Sequence, residues 1–151
     1  MNLVIAAVGR MKTGPEKDLF TTYAKRLNWR VELKEVEERR PLGAAEVIRS
    51  EGNKLLAALP DNSWVVALDR TGAAVSSEGL AQNLEKWIDL GRPSVTFVIG
   101  GADGLDTPVL ERADARLSFG DLTWPHMLVR VMLMEQLYRA QCILGGHPYH
   151  K

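Results

Sequence analysis

Cysteine occurs once in the 151 residues, at Cys142. A single thiol excludes an intramolecular disulfide and a cysteine-built zinc site, and it fits a reducing compartment. Excess charge of one sign is missing too: 19 Lys and Arg balance 19 Asp and Glu. A uniformly basic surface is thereby excluded, although local patches are not. No apolar run is long enough to span a membrane. The first run, Leu3 to Val8, lacks the basic start and cleavage pattern of a secretion signal, so the chain is expected to be cytoplasmic. Internal repeats, low-complexity stretches and linkers are absent, and residues 1–151 are expected to form one domain. Neither G-x-x-x-x-G-K-[ST] nor G-x-G-x-x-G occurs, which argues against Walker-type and dinucleotide sites.

What remains is an ordinary soluble composition, 46% apolar and 25% charged, long enough to bury a core without staples. Charge is uneven along the chain. Residues 1–60 hold 11 basic against 8 acidic residues, and residues 61–121 hold 5 against 10. Residues 122–151 hold 3 against 1, with all three histidines. A polyanionic partner would therefore be met by patches from the two ends of the sequence.

Five apolar runs predict strands: Asn2–Val8, Arg30–Val36, Trp64–Leu68, Val95–Ile99 and Ala115–Ser118. LVIAAV, WVVAL and VTFVI are nearly continuous, as in strands covered on both faces of a parallel sheet. The second run alternates Val31 and Leu33 with Glu32 and Lys34, the pattern of an edge. Helical patterns fall between them, over 15–27, 44–59, 77–90, 108–113 and 125–143. Alternating strands and helices predict an α/β three-layer sandwich with a mainly parallel sheet.

Four segments carry chemistry. Gly100-Gly101-Ala102-Asp103-Gly104 follows the strand VTFVI, where open α/β sheets bind ligands; taken alone, a plain turn needing positive φ explains it better. The run from Ser118 to His126 joins the short fifth strand to the last helix, with Pro125 suited to the first helical position. It could offer backbone donors beside the Trp124 ring to a purine edge, or simply start a helix. The last helix is apolar almost all round, the mark of a helix covered by its own domain on one side and by a second body on the other. Arg130 lies near its start, where the dipole disfavours a cation, so an anionic partner or an internal salt bridge is expected there. The tail Gly145 to Lys151 places His147, Tyr149, His150 and Lys151 together, groups able to stack on a base and touch phosphate, or merely to fray. Two closely spaced histidines make no credible metal site. Cys142 sits within the apolar helix as an inert buried thiol.

Together these segments resemble a known family. The matching residues are Val8-Gly9-Arg10 with Lys12, Ile99 to Leu105, Leu117-Ser118, Leu122-Thr123 ahead of Pro125-His126, Leu128 to Val131, Glu135 to Ala140, and His147 to His150. Over the whole chain they look like the bacterial ribosomal large-subunit pseudouridine N3-methyltransferases, a minimal branch of the SPOUT class. The resemblance implies a C-terminal trefoil knot and a homodimer packed through it. It implies S-adenosyl-L-methionine held by Leu68, Gly101 and the loop Gly120, Asp121, Leu122, Thr123, Trp124 and Pro125. It implies methyl transfer to N3 of a pseudouridine in 23S rRNA within the assembled ribosome, with no metal. Arg130 and His150 are then the catalytic candidates, and His147, Tyr149, His150 and Lys151 the groups that grip the target. A knotted factor that binds RNA without catalysis is the rival.

Overall fold

A computed structural model describes residues 1–151. Its strands are β1 (Asn2–Val8), β2 (Arg30–Val36), β3 (Trp64–Ala74), β4 (Ser94–Ile99) and β5 (Ala115–Ser118). Its helices are α1 (Pro15–Arg26), α2 (Ala44–Ala58), α3 (Ser77–Asp89), α4 (Thr107–Arg112) and α5 (His126–Leu144). The five strands pair in the order β2-β1-β4-β3-β5, every pair parallel. The polar-alternating β2 lies at an edge, as its pattern predicts.

Strand alternation divides the core into two. Leu3, Ile5 and Ala7 of β1 join Phe97, Leu84, Leu133 and Leu137 on the face covered by α1, α3 and α5. Ala6 and Val8 join Leu55 and Val109 on the face covered by α2 and α4. Sheet and two helix layers give the expected three-layer α/β sandwich.

Three local expectations change. β3 runs past Leu68 to Ala74, with a register shift between Leu68 and Ala73. Gly72 makes the irregularity possible, because a Cβ there would lie 2.6 Å from the backbone N of Leu117. Pro125 occupies the cap position of α5 rather than its first turn, with extended backbone and its carbonyl accepting from Val129. The third change concerns how α5 is covered. No residue from 126 to 143 is exposed, because α5 packs between α1 and α3 on the sheet. The chain itself therefore covers much of the apolar circumference, while Met127, Leu128, Val129, Met132, Tyr138 and Ile143 keep part of their surface.

The helix ends in a Schellman motif. Gly146, at φ 70°, turns the chain so that its N–H reaches Ile143 O and the N–H of His147 reaches Cys142 O. This turn sends the tail back along α5.

Candidate active site

Because all strands run parallel, their carboxyl ends share one edge of the sheet, the usual site of ligand binding in open α/β folds. The irregular middle of β3 and the loops after β4 and β5 meet there around a cavity of about 810 Å³. All eight residues expected to hold a cofactor line it: Leu68, Gly101, Gly120, Asp121, Leu122, Thr123, Trp124 and Pro125. Leu122 is 73% exposed and Trp124 39%, large apolar surfaces left open beside the cavity.

The loops owe their shape to glycine. Gly101 and Gly104 pair as an isolated bridge, with Gly104 at φ 85° donating to Gly101 O at 3.1 Å. A Cβ on Gly100 would lie 2.8 Å from Gly104 O. Gly120, at φ 101°, is held by Ser118, whose hydroxyl accepts its N–H at 3.1 Å. At Gly100 and Gly101 close packing within the protein explains the glycine, while the space beside Gly104 and Gly120 is open.

The carboxylate of Glu51 stands behind Gly101, 2.9 Å from where a Cβ would project. Burial first, then the charge of nearby Asp103, pushes its pKa above the ordinary carboxylate value. A raised acid favours the fold most while protonated, so its ionisation weakens the fold as pH rises through the folded-state value. Glu51→Gln is therefore expected to raise the melting temperature at pH 7, with the gain vanishing below about pH 4.5, the ordinary value. Thermal scans of both proteins across this range check it. An equal shift at every pH would show that the charge has no part in it.

Sequence inspection missed Asp69 and Arg70 in the lining, and it placed Asp103, Phe119 and His126 in candidate segments without assigning them to the cofactor. Asp69 and Arg70 directly follow Leu68, and that position after a parallel strand was their available signal. Asp69 turns back to accept from the backbone N and hydroxyl of Thr71. The cavity thus carries three carboxylates (Asp69, Asp103, Asp121) against Arg70, and its other walls are largely apolar. An adenosine-sized ligand with a positive centre suits that lining.

Arg130 is not in the lining. Its side chain is fully buried, bound to Glu35 at 2.7 Å, Val8 O at 2.9 Å and Gly9 O at 2.8 Å. Glu35 also accepts the N–H of Met11 at 2.6 Å. The anionic partner expected near the start of α5 is therefore this internal salt bridge. In this chain the Arg130 side chain leaves no surface open to a base.

The tail is ordered against its own chain, away from the cavity. Tyr149 donates to Glu135 at 3.0 Å and packs edge-on to Tyr138. Burial first, then Tyr23 and Glu135, push its phenol pKa up, so it stays a donor. His150 Nδ1 lies 3.1 Å from Arg139, and Nε2 2.7 Å from Glu78. Arginine can only donate, so Nδ1 accepts and Nε2 carries the proton toward Glu78. Both ring nitrogens are thus occupied. His147 and Lys151 are exposed. Glu135 also borders a second cavity of about 600 Å³, rimmed by exposed Leu19 and Val75. No three metal-ligating side chains gather anywhere, and no helix is long and apolar enough to cross a membrane.

Residues 1–150 match the family model described as "Predicted SPOUT methyltransferase". A protein of Paramagnetospirillum magneticum named ribosomal RNA large subunit methyltransferase H is 54% identical over all of this chain and 99% of its own. One of the same name from Gluconacetobacter diazotrophicus is 57% identical over 97% of this chain and 95% of its own. Among solved structures, a probable methylase family protein of Haemophilus influenzae superposes with a TM-score of 0.53 at 9% identity, covering 95% of this chain and 66% of that one. At that identity it speaks for the fold alone.

Proposed function

The chain belongs to the SPOUT methyltransferase family, and from that premise we propose that it methylates N3 of a pseudouridine in 23S rRNA on the assembled ribosome, in the cytoplasm. One observation carries the site: eight residues assigned from the sequence converge on a single cavity at the carboxyl edge of the sheet. We assign that cavity to S-adenosyl-L-methionine. Leu68, Leu122 and Trp124 suit an adenine ring, and Asp121 with Asp103 suits a sulfonium cation. The donor, when bound, supplies an activated methyl group and its own leaving group.

The protein must then orient the nucleotide and favour loss of the N3 proton. His147, Tyr149, His150 and Lys151 are proposed to grip the target. His150 becomes a base only after Nδ1 leaves Arg139, since Nε2 already carries the proton given to Glu78. Arg130 is a positioning residue: it fixes the end of β1 against the start of α5, beneath His126. One chain holds tail and cavity apart, so the homodimer is the assembly able to unite them. The apolar second cavity, rimmed by Leu19 and Val75, supports such pairing. The trefoil threading belongs to the same proposal. It is supported by the path of residues 119–125, which leave the β5 edge and lead α5 back between α1 and α3.

Incubation with labelled donor and ribosomes lacking the modification should place label in 23S rRNA at one pseudouridine N3. Donor binding by calorimetry with no label in RNA would overturn the enzymatic reading and favour the rival binding factor.

A further inference from the structure

The two loops at the same carboxyl edge that do not line the cavity are strongly basic. Arg10 and Lys12 follow β1, Arg39 and Arg40 follow β2, and Lys54 projects from α2 beside them. Two carboxylates form ion pairs with four of these five cations, and each is shared. Glu37 binds Arg10 and Arg39, at 3.1 and 3.0 Å. Glu38 binds Arg40 and Lys54, at 3.0 and 3.4 Å. Glu38 lies beneath its cations, while Glu37 keeps 35% of its side-chain surface. The Glu38 side chain retains 2% of its surface, against 67%, 73% and 68% for Arg10, Arg39 and Arg40. Solvent therefore meets a net positive strip. Glu46 approaches Arg40 from α2, and exposed Arg49 on the same helix offsets it. Lys12 has no acidic partner.

The strip is contiguous with the cavity and rigidly attached to it. Val8 lies 3.1 Å from the Cβ position of Gly101, and His126 lies 3.8 Å from that of Gly9. The turn that carries Arg10 and Lys12 is fixed by Glu35 on Met11 and by Arg130 on Gly9. One edge of the sheet thus separates its charge, with an acidic cavity suited to a cation beside a basic strip suited to a polyanion.

We propose that this strip, Arg10, Lys12, Arg39, Arg40 and Lys54, docks the phosphodiester backbone of the substrate RNA and sets the target nucleotide over the cavity. The inference rests on the proposed function and adds the surface that reads RNA. Fixed cations spaced along a rim suit a chain of phosphates, and their effect should be salt-dependent and indifferent to base identity.

The test is the double variant Lys12→Glu/Arg39→Glu, since both side chains are exposed and the one ion pair lost, Arg39 to Glu37, is a surface pair worth little to the fold. With unmodified large-subunit particles as substrate, KM should rise at least tenfold. The slope of log KM against log salt should shrink by about 1.5, as expected for two lost phosphate contacts. Donor affinity and melting temperature should be unchanged, and Lys12→Arg/Arg39→Lys should behave as the parent. An unaltered KM and salt slope in the charge-reversed protein would overturn the strip. Direct binding of the particles, read by filter retention, separates this failure from failure of the enzymatic reading. A protein that transfers no methyl group but loses particle binding on charge reversal retains the strip and loses the enzyme.

Discussion

Replacing Arg130 by Ala or Met is expected to destabilise the fold by about 3 kcal/mol or more, the lower end of the range for breaking a buried ion pair. The estimate sits at the lower end because Glu35 keeps 23% of its side-chain surface and can recover some water. Against that relief, the carbonyls of Val8 and Gly9 lose their donor at the end of a buried strand. At this chain length the loss corresponds to a fall in melting temperature of roughly 6–12 °C. Arg130→Lys should fall between parent and Ala, since it keeps the charge but not the fork that reaches Glu35 and two carbonyls together. Thermal unfolding without donor or RNA isolates the effect. A variant that melts like the parent yet has lost turnover would return the guanidinium to the reaction and refute the positioning role. The residue also has an unpartnered buried Nε, so its bonding is incomplete even in the native fold.

Arg130 also shows where sequence inspection stops. A cation near a helix start announces an anionic partner, but Glu35 lies 95 residues away, on a strand whose neighbours follow only from the sheet order. The strands themselves were legible, because continuous runs such as VTFVI can be buried only in a sheet covered on both faces. The cavity lining was legible through family motifs, and its chemistry followed from glycine-bearing loops after strands. Apolar periodicity in α5 was visible but its cause was not. Helices flanked by two neighbours and helices flanked by one neighbour and a partner subunit give the same pattern. The tail was legible as a set of candidate side chains. Its docking onto Glu135, Arg139 and Glu78 depends on the Gly146 turn and on α3 lying alongside α5, which is tertiary information. The basic strip was visible only as an uneven charge count until parallel strands placed both loops at one edge.

Gly100→Ala and Gly101→Ala should differ sharply, although the residues adjoin and both follow β4. At Gly100 the new Cβ meets Gly104 O at 2.8 Å and Gly104 C at 2.9 Å, both backbone, and Leu105 Cδ2 at 3.1 Å. The turn that closes Gly101 onto Gly104 must open, and it forms one wall of the cavity. Forced overpacking of this kind costs about 1–3 kcal/mol, and the displaced wall should weaken donor binding at least tenfold. At Gly101 the obstacles are Val8 Cγ1 at 3.1 Å and the Glu51 carboxylate at 2.9 and 3.3 Å, the end of a flexible side chain. Glu51 can swing away, so Gly101→Ala should cost less in affinity, and Gly101→Ala/Glu51→Ala should recover most of it. Calorimetric titration of the methyl donor into the three proteins decides the matter. Equal losses for the two single variants would mean that the glycines meet the donor directly. No rescue by the second substitution would mean that Glu51 is not what excludes a side chain at 101. The predicted ranking follows from the backbone contact at one glycine and the side-chain contact at the other, a distinction that the sequence Gly-Gly does not contain.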